Sequence, residues 1–311
     1  MTTPSRRVLL VTHVGRPEAQ QLAAEVASRL LASGIGVAAP ADELDGTPLA
    51  AVGGVEAVAH DGAAQGCELV VVLGGDGTIL RGAELSRGSG APVLGVNLGH
   101  VGFLAEAERE DIDATVERIC AQDYTVEERT TLEVVAREDG HVVFESWALN
   151  EVTVEKASRE RMLELTVEID GRPLSTWGCD GVVMATPTGS TAYAFSAGGP
   201  VVWPDVEALL VVPISAHALF SRPVLVGPNS RLVVEVVRDT AAGGVVWCDG
   251  RRAVGLPPGA RIEVQRSSEP VRLARLSAGG FTDRLVEKFA LPVQGWRGAA
   301  RRQQAEEDPA P

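Results

Sequence analysis

The stretch that most limits what this chain can fold into is Leu69-Val70-Val71-Val72-Leu73, which runs straight into Gly74-Gly75-Asp76-Gly77-Thr78. A short apolar run closed by glycines reads as a buried strand that stops at a tight turn. Similar runs flank it. Arg6 to Val14 reads as a buried strand, Pro17 to Gly34 as a helix with proline near its start and glycine at its end, and IGVAAP as a second strand. APVLGVN reads as another strand, followed by a helical stretch from Asp111 to Gln122. Strand and helix in alternation predict an α/β domain, a parallel sheet wrapped by helices.

After Tyr124 the pattern changes. TTLEVVARE, HVVFESWALNEVTVE, LELTVEID, RLVVEVVRD and GGVVWCDG are alternating or β-branched runs, with Asp-Gly pairs at Asp139, Asp170 and Asp249 where hairpin turns would join them. This half is expected to be mostly sheet. FTDRLVEKFA, from Phe281 to Ala290, reads as helix, and the polar tail from Arg297 to Pro311 as disordered. The 311 residues suffice for about two domains. The expected boundaries are 1–124 for the α/β domain, 125–278 for the β-rich domain, 279–296 for a closing segment and 297–311 for the tail.

Several function classes fall away. The 28 basic and 42 acidic residues give a net charge of −14, which repels nucleic-acid backbones and anionic bilayers. Only Lys156 and Lys288 are lysines and neither follows a glycine, so the lysine-dependent nucleotide loop G-x-x-x-x-G-K-[ST] and the protein-kinase signature are both absent. Cys67, Cys120, Cys179 and Cys248 form no C-x-x-C pair, which excludes zinc ribbons and redox dithiols. The five histidines, His13, His60, His100, His141 and His217, make no H-x-x-x-H pair, and no metal-ligating residue is expected. A dinucleotide fingerprint G-x-G-x-x-G should follow the first strand, yet the chain reads Gly15-Arg16-Pro17-Glu18-Ala19 there. The apolar run near the start is too short for a signal peptide and no run spans a bilayer, so a cytoplasmic protein with reduced thiols is expected.

Three motifs could carry chemistry. In an open α/β sheet, ligands bind beyond the carboxyl ends of strands, where glycines let backbone N–H groups approach a phosphate or sugar. That places Asp76 at the crevice, its carboxylate free to accept a hydroxyl proton or two hydroxyl hydrogen bonds, with Thr78 expected to cap the following helix. A G-G-D-G turn is equally a plain strand-to-helix corner. The second motif, Asp180 to Tyr193, delivers Thr186, Thr188, Ser190 and Thr191 after a short apolar run, a density of small donors suited to a nucleotide, or else a hydroxyl-rich helix cap. A serine-hydrolase elbow is excluded, because Thr188 and Ala192 stand where it needs glycines. The third, Asn150-Glu151, interrupts an apolar run, as a bulge or a solvent-facing pair also would.

Together, GGDGT (74–78), NLGHVGFLAE (97–106), NEVTVEK (150–156), DGVVMATPTGSTAYAFSAGGPVV (180–202) and VVPISAHALFSRPVLV (211–226) resemble the bacterial NAD kinases, in order and across residues 6–290. GGDGT alone is shared with diacylglycerol and sphingosine kinases; a lipid kinase and an NAD sensor without turnover are the competing readings. The resemblance implies a Rossmann-like N-terminal nucleotide-binding domain, a β-rich, sandwich-like C-terminal domain and a C-terminal segment that returns to the first domain. It implies transfer of a phosphoryl group from ATP or polyphosphate to the 2′-hydroxyl of the adenosine ribose of NAD, giving NADP, with Mg²⁺ or another divalent cation bound mainly through the donor phosphates. It also implies a homodimer or homotetramer.

Residue by residue, Asp76 is similar to the family's proposed proton acceptor, Gly74, Gly75 and Gly77 to the glycine loop around it, and Arg81 to a nearby basic contact. Asn150 resembles the adenine-binding residue and Glu151 the one that binds ribose hydroxyls. Thr188, Thr191 and Tyr193 resemble the rest of the adenine pocket, in a stretch that includes Ala192, Ala194 and Phe195 and runs to Ser196. Asp180 resembles the group that meets the nicotinamide amide and Arg161 a further basic contact. Arg251 departs from the pattern, since some members have a glutamine there.

Overall fold

The computed structural model describes residues 6–13, 15–99, 102–158, 161–239, 243–276 and 279–293. The tail expected to be disordered lies outside the described residues, as do His100 and Val101 of the NLGHVGFLAE segment. The chain divides into two units, residues 1–125 with 274–311, and residues 126–273.

The first unit runs β1 (Arg7–Thr12), α1 (Pro17–Ala32), β2 (Gly36–Pro40), α2 (Ala41–Leu44), β3 (Val55–Val58), β4 (Leu69–Leu73), α3 (Asp76–Ser86), β5 (Val93–Asn97), β6 (Ala107–Glu108), α4 (Ile112–Ala121) and β7, which starts at the boundary (Thr125–Arg129). The chain comes back through β20 (Val271–Arg275) and ends in α6 (Phe281–Phe289). The sheet order is β3-β2-β1-β4-β5-β20-β7, with β6 on β5. β1 to β5 pair in parallel, with Leu10 opposite Val71 and Val71 opposite Leu94. Leu9, Leu10, Val70, Val71 and Val72 are wholly buried. Strands covered on both faces in this way have no polar alternation, which is why they read as plain apolar runs. α1 buries Ala19, Leu22, Ala23, Val26, Ala27 and Leu30, one stripe at helical spacing. Ala274 and Leu276 of the returning segment belong to the same core.

The second unit is two six-stranded antiparallel sheets over one core. Its strands are β8 (Leu132–Glu138), β9 (His141–Ala148), β10 (Glu151–Lys156), β11 (Leu163–Ile169), β12 (Arg172–Cys179), β13 (Gly181–Ala185), β14 (Leu209–Ile214), β15 (Val224–Val226), β16 (Leu232–Val236), β17 (Gly244–Cys248), β18 (Arg252–Leu256) and β19 (Arg261–Arg266), with one short helix, α5 (Tyr193–Ser196). The sheet orders are β15-β14-β13-β10-β17-β18 and β12-β11-β16-β19-β8-β9. Trp177, Val134, Leu165, Val234 and Ile262 from one sheet pack with Val152, Val154, Met184 and Val246 from the other. The three Asp-Gly pairs do close hairpins: φ is +46° and +84° at Asp139-Gly140, +52° and +75° at Asp170-Gly171, and +52° and +63° at Asp249-Gly250. Left-handed backbone at both central positions is the twist that a two-residue hairpin needs.

One sequence expectation is corrected here. HVVFESWALNEVTVE is not a single run, because β9 and β10 lie in different sheets and the chain crosses at Leu149-Asn150.

Candidate active site

In the first unit, β4 delivers the glycine turn to its carboxyl end and α3 starts at Asp76. The cap of α3 is Gly75 in extended conformation, and Thr78 sits inside the first turn, packed against Gly74. The expectation that Thr78 caps the helix is therefore wrong: the helix begins three residues too early for it. The Asp76 carboxylate accepts the Phe103 N–H on Oδ2 and the Leu104 N–H on Oδ1, each at 3.2 Å. Two lone pairs are engaged and others remain for a hydroxyl. Arg81 is already paired, to Asp42 at 2.9 Å and to the buried Glu43 at 3.2 Å, while Glu43 also accepts the Thr12 N–H at 2.6 Å. Burial pushes the Glu43 carboxyl up from its ordinary range.

In the second unit, Asn150 and Glu151 are each only 7% exposed, so they are not a solvent-facing pair, and Glu151 pairs with Ala185 in unbroken register, so they are no bulge in that ladder. Three segments hold them. Asp249, in the β17–β18 turn, accepts N–H groups from Leu149 (2.9 Å), Asn150 (2.7 Å) and Glu151 (3.3 Å), together with the Arg252 guanidinium at 3.0 Å. Thr186 donates its N–H to the Asn150 carbonyl and its hydroxyl to the Leu149 carbonyl, at 2.9 Å and 2.6 Å. Gly189 lies so close to the Asn150 backbone that a β-carbon would collide with its carbonyl, which explains a glycine inside TPTGST. Among the described residues the Asn150 side-chain amide has no hydrogen-bond partner and is left for a ligand.

Beside this junction is a cavity of about 490 Å³ lined by Glu151, Thr153, Glu155, Tyr193, Trp247, Asp249 and Gly250. Glu151, Thr153 and Glu155 share one face of β10, and Trp247 stands opposite Thr153 on β17. The lining offers carboxylates suited to hydroxyls and exposed Tyr193 and Trp247 rings suited to a flat heterocycle. Asp180 is not part of the lining. It lies at the other end of β13 from Thr188, ion-paired with Lys156, whose hydrogen bond holds its carboxyl below the ordinary range. Thr188 is buried and Thr191 half-buried in the turn before α5, Ala194 is buried within it, and Ala192, Phe195 and Ser196 lie along the same stretch. Arg161 is exposed just before β11. Sequence reasoning missed Asp249, Thr153, Glu155 and Trp247 as site residues. The two-residue spacing from Glu151 could have found Thr153 and Glu155; nothing in the sequence singles out Trp247.

Burial, and then the charge of Asp249, push the Glu151 carboxyl up to about 8. A carboxyl that holds its proton more tightly folded than unfolded contributes stability below its ordinary value of 4.5, and that contribution is lost as pH rises towards 8. We expect the unliganded protein to lose on the order of 5 kcal/mol across this window and Glu151→Gln to lose much less. Melting curves from pH 5 to 9 check this, and parallel curves for the two proteins would refute it.

The comparisons with known proteins bear on the family and the fold. The ATP-NAD kinase N-terminal domain matches residues 8–124 and the ATP-NAD kinase C-terminal domain residues 149–276. NAD kinase 2 of Streptomyces avermitilis is 60% identical over 297 residues, covering 96% of this chain and 98% of the relative. The crystal structure of yeast NADH kinase with NADH superposes with a TM-score of 0.83 at 23% identity, over 94% of this chain and 90% of that one. An NAD kinase from Archaeoglobus fulgidus in complex with ATP gives 0.69 at 24% identity, over 92% and 99%. At such identities the two solved structures establish the fold, α/β first and β-rich second, while the matched domains and the Streptomyces relative place this chain in the NAD kinase family.

Proposed function

We propose that in this NAD kinase Asp76 accepts the proton of the 2′-hydroxyl of the adenosine ribose as that oxygen takes a phosphoryl group from ATP or polyphosphate, giving NADP. The observation that carries the role of Asp76 is its carboxylate, held by two backbone N–H groups at the glycine turn that ends a buried strand. Phosphoryl transfer is mostly positioning and charge stabilisation, so a fixed acceptor beside open backbone is what the step asks of the protein. Gly75 and Gly77 have open space where a β-carbon would stand, which leaves room for a phosphate or sugar.

The pocket of the second unit is assigned to the nucleoside. Asn150 would hydrogen-bond the adenine and Glu151 the ribose hydroxyls, with Thr188, Thr191 and Tyr193 completing the enclosure. A protonated Glu151 donates one hydrogen bond and accepts others, which suits a diol. Asp180 would meet the nicotinamide amide, and Arg81 and Arg161 are the basic contacts; Arg81 would serve phosphate only while it stays braced by Asp42 and Glu43.

Among the described residues no three His, Cys, Asp or Glu side chains gather into a ligand set, and the residue at the glycine turn is a hard oxygen donor. A divalent cation of the magnesium kind, carried mainly by donor phosphates and water, fits this chemistry and would neutralise phosphate oxygens when bound. Among the described residues no helix is long and apolar enough to cross a membrane. The reading is of a cytoplasmic homodimer or homotetramer that uses neither nucleic acid nor membrane; Leu219, Phe220 and Leu225, exposed on the second unit, support assembly.

Incubation with NAD, Mg²⁺ and either ATP or polyphosphate should yield NADP. Activity should vanish in EDTA and return with magnesium; turnover that survives chelation would refute the metal assignment.

A further inference from the structure

The loop that grips Asp76 follows β5, and its described residues between Leu98 and Glu106 form no helix or strand. It approaches so closely that a β-carbon at Gly102 would overlap the Asp76 carboxylate. Its far end is pinned by Glu106, whose side chain is 0% exposed. Glu106 Oε2 accepts Arg275 at 3.0 Å and Arg284 at 2.6 Å, and Oε1 accepts the Leu276 N–H at 3.0 Å. Arg284 also reaches the Phe103 carbonyl at 3.5 Å, so one guanidinium spans both ends of the grip. The Phe103 ring lies 5.9 Å from both Phe281 and Phe289. Arg284, Phe281 and Phe289 all come from α6, a nine-residue helix with no buried residue.

We propose that Glu106 and Arg284 are positioning residues for phosphoryl transfer: through Phe103, the C-terminal helix fixes the two N–H groups that hold the Asp76 carboxylate. The proposal rests on the catalytic reading of Asp76. Its logic is geometric, because a displacement of about 1 Å at a reacting group costs on the order of 10²-fold in rate. A helix this poorly buried depends on side-chain contacts to stay docked, among them Arg284 on Glu106 and the Phe281 and Phe289 rings beside Phe103.

Arg284→Met in the full-length protein should lower kcat about 10- to 100-fold with the KM for NAD little changed. Amide hydrogen exchange at Phe103 and Leu104 should become faster while β4 and β5 keep their protection. Arg284→Lys, which keeps the charge opposite Glu106, should recover part of both losses, and it decides the matter if the methionine variant does not fold. Unchanged exchange at Phe103 and Leu104, unchanged kcat, or protection lost equally throughout β4 and β5 would each overturn the proposal. Asp76→Asn separates the two ideas: near-normal turnover there sinks the catalytic reading, whereas a slow Asp76→Asn beside a normal Arg284→Met sinks only the positioning role.

Discussion

Asp76→Asn should lower kcat by about 10² to 10⁴-fold while NAD still binds and the circular dichroism spectrum is unchanged, because general-base assistance is worth that much. Asparagine keeps the size of aspartate and one acceptor oxygen but takes no proton. The Phe103 and Leu104 N–H groups reach the two different oxygens, so one of them will face an amide NH₂. The loss should appear in kcat rather than in KM, since the interaction tightens only as the proton moves. A variant with near-normal kcat would mean that Asp76 only positions the ribose and that the proton leaves to water or to the donor phosphate.

The largest effect on stability is expected at Asp249. Both carboxylate oxygens face only donors: Leu149 N–H and Arg252 on Oδ2, Asn150 and Glu151 N–H on Oδ1. Burial pushes the carboxyl up while those donors pull it down, so the site tolerates a carboxylate only because it is filled with N–H groups. Asp249→Ala leaves those donors unpaired and should cost about 3–5 kcal/mol. It should also loosen the junction that shapes the cavity, and so weaken NAD binding. Asp249→Asn should lose nearly as much, because its NH₂ turns towards other N–H groups. Urea unfolding of the three proteins measures this, and an asparagine variant as stable as the parent would contradict the account.

What could be read in advance follows from how local its cause is. β1, β2, β4 and β5 are apolar runs because both faces are covered, and each hairpin turn announces itself as Asp-Gly because both positions need left-handed backbone. β14 is hard to read as a strand because Pro213 interrupts its apolar run, yet Pro213 sits opposite Val182 in the ladder. Asn150-Glu151 and TPTGSTAY stood out by composition, but single segments left bulge and cap readings open; their meaning lies in Asp249 and Gly189, from elsewhere in the sequence. Trp247 and the brace of Arg81 by Asp42 and Glu43 are likewise products of packing between distant segments.

The second unit is one uninterrupted stretch, whereas the first is made of residues 1–125 and 274–311. During synthesis the order of completion is therefore inverted: the sandwich has every strand in hand once residue 266 has emerged, while the parallel sheet waits for β20 and α6. Until then Glu106 has neither Arg275 nor Arg284 opposite it, and its side chain is a charge without a place to be buried. Under the roles proposed above, the nascent chain carries a complete nucleoside pocket before its proton acceptor is held, and α6 is the element that completes the hold on Asp76.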